Sequence, residues 1–252
     1  FNKTEAITLE QSKLTLSKDI TVLSFSDSSM VDRNSSIIKV DSGWIVYSKN
    51  SESSILSFTS DGQFSGYIGH RGNGPGEYTS VYDVVVNQKS KVLEVLSDGG
   101  IFCYTFGGDF LDKKEVTYPA FSFAIDDRQN YWFYVGNNTT YGDAKMICTD
   151  ENIANVAYYL HQKSNMLPMV ENNFGRNGEW LTFHESLNHD LYTIENGKLD
   201  LSYAMDFPNY KLPKKLHELS GMEVIEELQR SNYASIINLS LIHISEPTRQ
   251  AE

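Results

Sequence analysis

Cysteine is scarce in this chain: Cys103 and Cys148 are the only two in 252 residues. Two cysteines do not make a disulfide framework, on which small extracellular domains without a large core depend. A chain of this length with 40% hydrophobic residues can bury a sizeable core without one. We therefore predict that both cysteines are free thiols buried on strands, with a single disulfide between them as the alternative.

Positive charge and long apolar runs are also lacking. The 33 acidic residues outnumber the 21 basic ones, which leaves a formal net charge of −12. A nucleic-acid-binding protein needs a basic surface to displace counterions, so this class is excluded. No apolar run is long enough to predict a membrane-spanning helix. The chain begins at Phe1, so either a signal segment has been removed or the sequence starts within its gene.

Motifs for metal binding and for hydrolysis are missing as well. The six histidines do not form an H-E-x-x-H motif, and no G-x-S-x-G nucleophile motif occurs. His184 and His189 are five residues apart, a spacing that places them on opposite faces of a strand. We expect the segment around them to be a solvated turn. The sequence thus predicts no catalytic residue, no metal ligand and no cofactor.

What the sequence does contain is a repeat. Hairpin-like turns centred on Gly62, Gly108, Asn152 and Gly197 are separated by 46, 44 and 45 residues. Gly and Asn tolerate the positive φ that short hairpin loops require. One period earlier, near Ser17, another turn is expected. Upstream of these hairpins lie further strand pairs, with turns at 41–43, 87–90 and 126–130.

Four strands in about 45 residues is the size of one β-propeller blade. The predicted fold class is therefore all-β, with four to five four-stranded blades in residues 1–238. Period-two alternation in the last hairpin predicts a half-buried strand with Leu199, Leu201, Tyr203 and Met205 on one face. Residues 213–232 break the β pattern and predict a short helical insertion. Ser220 and Glu223 form a capping box there, and Val224, Ile225 and Leu228 are assigned to one apolar face.

The segment HRGNGPGEY, residues 70–78, contains the densest group of glycines. It is not a phosphate-binding loop, because Pro75 and Gly76 stand where Lys and Ser or Thr are required. Pro75 also lacks the N–H that an anion would use. We predict a structural turn between blades formed by Gly72, Gly74, Pro75 and Gly76, with Glu77 capping neighbouring amides. The candidate binding residues at the propeller face are His70, Arg71, Glu77 and Tyr78.

The C-terminal segment 239–252 is predicted to be foreign to the fold. Its sequence LSLIHISEPTR, Leu239 to Arg249, matches the in-frame translation of a common transposase sequencing adapter. We therefore expect the natural reading frame to be interrupted at about Leu239. No functional role is assigned to His243 or Glu246.

The chain resembles a family of six-bladed, NHL-like β-propeller proteins of bacterial cell envelopes over most of residues 20–238. The family run FD-x-x-G-K-F … IG-x-x-G-x-GPGE-[FY] is represented here by Phe58, Asp61-Gly62, Phe64, Ile68-Gly69, Gly72 and Gly74-Pro75-Gly76-Glu77-Tyr78. FPNYKLP, from 207 to 213, also resembles a family segment. The resemblance implies six blades in the complete protein, a location in the envelope or periplasm and a lipid anchor. It implies no reaction.

The function expected from these observations is a binding or interaction module of the bacterial envelope. The partner would be an unidentified protein, or a small-molecule or glycan ligand. The alternative is a propeller hydrolase or lyase with a metal in its central channel, for which Asp83, Asp126 and Asp127 are placed near strand ends. Turns also use Asp, so the binding module is favoured.

Overall fold

The protein is all-β in the computed structural model, which describes residues 20–24, 35–49, 54–137, 142–161, 172–177, 180–207, 210–213, 216, 219 and 222–230. Within these residues the chain forms eighteen strands and one short helix. Sixteen of the strands make four four-stranded antiparallel sheets, and the other two form a small parallel pair. The predicted all-β class with propeller blades is confirmed, and the described residues contain four blades.

The sheets follow one another along the chain. The first contains β1 (Ser36–Val40), β2 (Gly43–Tyr47), β3 (Leu56–Thr59) and β4 (Phe64–Tyr67). After the parallel pair β5 (His70–Arg71) and β6 (Glu77–Tyr78), the second contains β7 (Asp83–Asn87), β8 (Val92–Ser97), β9 (Gly100–Tyr104) and β10 (Phe110–Glu115). The third contains β11 (Ser122–Ile125), β12 (Tyr131–Tyr134), β13 (Met146–Thr149) and β14 (Ala157–Tyr159). The fourth contains β15 (Phe174–Asn177), β16 (Trp180–Phe183), β17 (Asp190–Glu195) and β18 (Lys198–Ala204), and α1 (Met222–Arg230) follows.

Each sheet is a meander in which consecutive strands are neighbours. We call the end of a sheet at which its first strand begins the entry end. The entry end also carries the connection from the preceding sheet and the turn between the second and third strands. The remaining turns lie at the opposite end.

The predicted repeat is confirmed by the four hairpin turns. Gly62, Gly108, Asn152 and Gly197 each lie between the third and fourth strands of a sheet. The three glycines have positive φ, as the prediction required, whereas in the third sheet the positive φ falls on Ile153 and Asn155. The position near Ser17 lies outside the described residues.

The chain divides into two compact units, residues 1–114 and 115–252. In the first unit, one apolar cluster joins the first two sheets through buried side chains such as Ile45 and Tyr47 from β2 and Val95 and Tyr104 from β8 and β9. These strands are rich in the β-branched and aromatic residues that suit a pleated surface buried on both faces. The first two sheets therefore share one core.

In the second unit, a cluster joins the third and fourth sheets. Its largest member is Trp132, which is fully buried and packs with Tyr134, Met146, Leu181 and Phe183. The Phe183 ring lies 5.3 Å from the Tyr134 ring, centroid to centroid. Aromatic side chains from both sheets therefore supply the three largest buried residues of this core.

The last strand of the fourth sheet departs from its predicted alternation. Leu199 is half-buried, but Leu201 and Tyr203 remain 55% and 53% exposed. Two features explain the difference: β18 is the outermost strand of its sheet, and its register with β17 shifts between Leu191 and Tyr192. The sequence pattern carries no signal for either feature.

The predicted short helix is confirmed as α1, whereas Ser220 of its capping box lies outside the described residues, as does segment 239–252. Val224 is buried and packs with Leu187 and Leu216, with Leu228 at the edge of the same cluster. Ile225 was assigned to this face but is 43% exposed, because successive helical residues are rotated by about 100°. Among the described residues, no helix is long and apolar enough to cross a membrane.

The two cysteines are free and buried, as predicted, in β9 and β13. Burial raises the pKa of each thiol to about 12. Because only the thiolate attacks a disulfide reagent, a rise from 9 to about 12 reduces the reactive fraction about 1000-fold.

We therefore expect the native protein to react with Ellman's reagent at pH 8 far more slowly than the protein unfolded in guanidinium. The rate for the native protein should increase as the pH is raised towards 12, where the thiols ionise. Stopped-flow absorbance measures both rates. Rapid labelling of either thiol in the folded protein would contradict the buried placement.

Candidate binding surface at the entry ends of the sheets

The glycine-rich segment joins the first sheet to the second at their entry ends. His70 and Arg71 form β5, which pairs in parallel with Glu77 and Tyr78 in β6. Residues 72–76 connect the two parallel strands. Bonds from Gly72 N to Tyr78 O and from Glu77 N to Gly74 O close this turn. The segment therefore contains a hydrogen-bonded turn, and it leads into a strand rather than a helix.

The glycines of this turn make room for a carboxylate. Glu77 Oε2 accepts a hydrogen bond from Gly74 N at 2.8 Å, which confirms the predicted capping of an amide. A Cβ atom at Gly72 would lie 2.0 Å from Glu77 Oε2, and one at Gly74 would lie 3.0 Å from it. The side chain of Glu77 therefore fills the space that the two glycines leave, inside the loop.

Tyr78 anchors the turn to the core. Its side chain is only 1% exposed, and its hydroxyl accepts from Ile55 N and donates to Ile68 O, both at 3.3 Å. The neighbouring Tyr104 hydroxyl donates to Gly76 O at 3.0 Å. Of the four candidate binding residues, Glu77 and Tyr78 make these internal contacts, whereas His70 and Arg71 are exposed.

An exposed polar cluster lies next to Arg71. Arg71 Nε donates to Thr79 O at 2.9 Å. The hydroxyls of Thr79 and Ser80 donate to Asp98 Oδ2 at 2.7 and 2.8 Å. The Tyr82 hydroxyl donates to Asp98 Oδ1 at 2.6 Å. These bonds lower the pKa of the Asp98 carboxyl and keep it ionised, and the bond from Tyr82 has the largest effect.

A buried ion pair lies at the entry ends of the first two sheets. Lys49 Nζ is 2.8 Å from Asp83 Oδ1, and the two side chains are 10% and 8% exposed. Asp83 Oδ1 also accepts from Val84 N. Burial, together with the negative charge of Asp83, raises the pKa of the Tyr47 hydroxyl above its ordinary range. The Lys49–Asp83 ion pair and the Tyr47 hydroxyl are therefore coupled electrostatically.

The second unit contains a similar arrangement. Lys145 Nζ contacts both carboxylate oxygens of Glu185, at 2.9 and 3.1 Å, and the two side chains are 11% and 8% exposed. The Tyr134 hydroxyl lies 3.5 Å from Glu185 Oε1. Tyr134 ends the second strand of its sheet, as Tyr47 does in the first sheet. Each unit thus holds a lysine, a carboxylate and a tyrosine at an entry end.

The segment around His184 is buried, so the expected solvated turn is wrong for His184 and Glu185. His184 is 5% exposed, and among the described residues its Nδ1 is a buried polar atom without a hydrogen-bond partner. Asn173 fixes the backbone here: its Nδ2 donates to His184 O, and its Oδ1 accepts from the Ser122 hydroxyl. The bond between Asn173 and His184 spans 11 residues, and no sequence pattern indicates it.

The aspartates assigned to the metal-dependent alternative have other partners. Asp126 accepts from Arg128 N, Asn130 N, Asn130 Nδ2 and Trp132 Nε1, which fills the acceptor sites of a carboxylate. Asp127 pairs with Arg176, and Asp83 with Lys49. In the part of the chain that the structure describes, no three His, Cys, Asp or Glu side chains are grouped as metal ligands.

Sequence reasoning found the glycine-rich turn but missed both ion pairs. Lys145 and Glu185 are 40 residues apart, and neither belongs to a sequence motif that would indicate the pair. Asp98 was missed for a similar reason, because Ser97-Asp98-Gly99 looks like any hairpin turn. The hydroxyl-rich stretch 79–82 directly after the family motif is the one signal that could have indicated it.

Comparisons with known proteins agree with the fold. A family model described as "Domain of unknown function (DUF4934)" matches residues 4–242. A search of curated proteins found no match. The chain is similar to the solved structure of a "Putative exported protein" from Bacteroides fragilis, with 15% identity and a TM-score of 0.73, over 85% of this chain and 64% of that chain.

It is also similar to a member of the duf4221 family from Bacteroides vulgatus, with 10% identity and a TM-score of 0.50. That match covers 78% of this chain and 64% of the other. The chain therefore spans less than two thirds of either solved protein. At these identities the likeness shows the fold alone.

Proposed function

Because the chain belongs to the family described as "Domain of unknown function (DUF4934)", we propose that it is the ligand-binding β-propeller domain of a bacterial cell-envelope protein. Propellers share an architecture across many activities, so the function must be inferred from the site rather than from the fold. The site that supports a binding role is the entry end of the second sheet.

One observation carries this proposal. Exposed Arg71 and the cluster of Thr79, Ser80, Tyr82 and Asp98 bring charged, hydroxyl and aromatic groups from two chain segments to one surface. The anchored turn beneath them holds this surface on a rigid scaffold, which is how loops on stable folds usually recognise ligands. His70 belongs to the same exposed strand β5.

The envelope location, the six blades and the lipid anchor are the finer parts of the proposal. The family resemblance supports all three. The similar Bacteroides fragilis protein is described as exported, which supports the location. Coverage of 64% of that protein by a chain with four described blades supports a larger number of blades in the complete protein.

The test is a ligand screen by two-dimensional NMR on ¹⁵N-labelled protein, with amino acids, short peptides, saccharides and dicarboxylic acids as probes. We expect at least one class to shift amide signals of residues 69–82 and 97–99 selectively. Each bound compound should be recovered unchanged after overnight incubation.

Three outcomes would contradict the proposal. Signal changes confined to turns at the opposite ends of the sheets, or no binding by any class, would remove the assigned site. Chemical conversion of a bound compound would favour the hydrolase or lyase alternative. A parallel thermal melt with Ca²⁺, Zn²⁺ or EDTA separates a metal-dependent activity, because a specific metal site stabilises the fold that binds it.

A further inference from the structure

The Asp98 cluster has a defined direction of hydrogen bonding. Tyr82, Thr79 and Ser80 each donate their hydroxyl proton to the carboxylate. Ser97 supports the cluster, since its hydroxyl accepts from Ser80 N at 3.3 Å and lies 3.4 Å from Thr79 Oγ1. The donated protons point inward, so the oxygens turn their lone pairs away from Asp98.

The cluster is consequently a group of acceptors. An ionised carboxylate offers about four acceptor positions, and the bonds from Thr79, Ser80 and Tyr82 fill three of them, one on Oδ1 and two on Oδ2. Asp98 Oδ1 therefore retains one acceptor position, which lies beside the Tyr82 hydroxyl oxygen. Asp98 is exposed and the three hydroxyl residues are half-buried, so a ligand reaches them from solvent. A group with several donors and a positive charge fits such acceptors best, and a primary ammonium has three donors.

The Arg71 guanidinium lies on one side of this cluster. Arg71 Nε bonds Thr79 O at 2.9 Å, and the Thr79 hydroxyl bonds Asp98 at 2.7 Å, so one residue separates the guanidinium from the carboxylate. A ligand with a positive charge alone would be repelled by Arg71. A ligand that also has a negative charge close to its ammonium group would be attracted by both side chains.

We propose that this surface binds a small zwitterion of the α-amino-acid class, with its ammonium group at Asp98, Tyr82 and Ser80 and its carboxylate beside Arg71. The proposal rests on the binding function proposed above and deepens it by assigning the ligand chemistry.

The test is an NMR titration of the full chain with three matched probes. Glycine has both charges, glycine methyl ester only the ammonium, and N-acetylglycine only the carboxylate. We expect glycine to shift the amide signals of residues 79–82 and 97–99 saturably, and each of the other probes to bind at least tenfold more weakly.

Variants locate the binding. Asp98→Asn and Arg71→Gln should each weaken glycine binding at least tenfold. Tyr82→Phe keeps the charge and should weaken it about threefold, which provides a second test if Asp98→Asn disturbs the loop. Asp61→Asn is the matched control, because Asp61 accepts a hydroxyl bond from Thr59 in a turn at the opposite end of a sheet. It should leave glycine binding unchanged.

The results distinguish this inference from the proposed function. If a saccharide or another neutral compound shifts residues 69–82 and glycine does not, the zwitterion assignment is wrong and the binding function stands. Equal binding of glycine and N-acetylglycine, or full binding by Asp98→Asn, would also overturn the assignment. If no probe class binds at this surface, both the zwitterion assignment and the proposed binding function are wrong.

Discussion

Replacing Lys49 with methionine is expected to destabilise the first unit by about 3–5 kcal/mol, because it leaves the Asp83 carboxylate buried without its cation. Methionine keeps most of the volume of the lysine stem, so the lost charge dominates the effect. Urea denaturation followed by circular dichroism measures the change in the free energy of unfolding. Lys145→Met should act in the same way on the second unit, where Glu185 is equally buried.

The chain provides a matched control for this prediction. Lys91 and Asp41 are also 2.8 Å apart in the first unit, but their side chains are 56% and 78% exposed. Exposed pairs contribute little, so Lys91→Met should change stability by less than about 1 kcal/mol. The double variant Lys49→Met/Asp83→Met should recover much of the stability lost in Lys49→Met. Equal costs for Lys49→Met and Lys91→Met would show that burial does not govern these pairs.

Replacing Gly69 with alanine is expected to cost about 3 kcal/mol or more, from two sources. The residue has a φ of +59°, which is unfavourable by about 1–2 kcal/mol for a residue with a Cβ atom. The added Cβ would also lie 2.6 Å from the Tyr104 ring. That ring is fully buried and its hydroxyl is bonded to Gly76 O, so it cannot move aside without loosening the glycine-rich turn.

Gly142→Ala separates the two sources. Gly142 has a similar φ of +69°, but no heavy atom lies within 4 Å of the position its Cβ would take. This substitution should therefore show only the backbone cost, about 1–2 kcal/mol. Gly69→Ala should exceed it, and NMR signals of residues 70–82 should shift in Gly69→Ala alone. Identical free-energy changes for the two variants would argue against the tight packing of Tyr104 on the turn.

The repeat explains why so much of the fold was predictable. A hairpin turn is a local event, and Gly62, Gly108 and Gly197 indicate it because few other residues adopt positive φ readily. Strand alternation is also local where one face is buried. It failed at Leu201 and Tyr203 because their exposure depends on the place of β18 in the sheet and on a register shift, neither of which is encoded within the strand.

The candidate site was predictable only in part. The glycine-rich turn is contiguous in the sequence, so the capping of an amide by Glu77 could be inferred from neighbouring residues, whereas the structural role of Gly72, Gly74, Pro75 and Gly76 between blades stays a prediction. His70 and Arg71 are exposed, and their assignment to a binding surface stays a prediction. Asp98 escaped notice because its partners lie 16 to 19 residues earlier and meet it only after two strands pair.

The sequence by itself determined the all-β class and the repeat with its hairpin turns, and it favoured free, buried thiols. These follow from backbone preference and from residue type, which act over a few neighbours. The tertiary structure alone decided which charges are buried together. Lys49 meets Asp83, and Lys145 meets Glu185, because the entry ends of the two sheets within each unit come together. The energy of a charge depends on its surroundings after folding, and the residues adjacent to it in the sequence do not specify those surroundings.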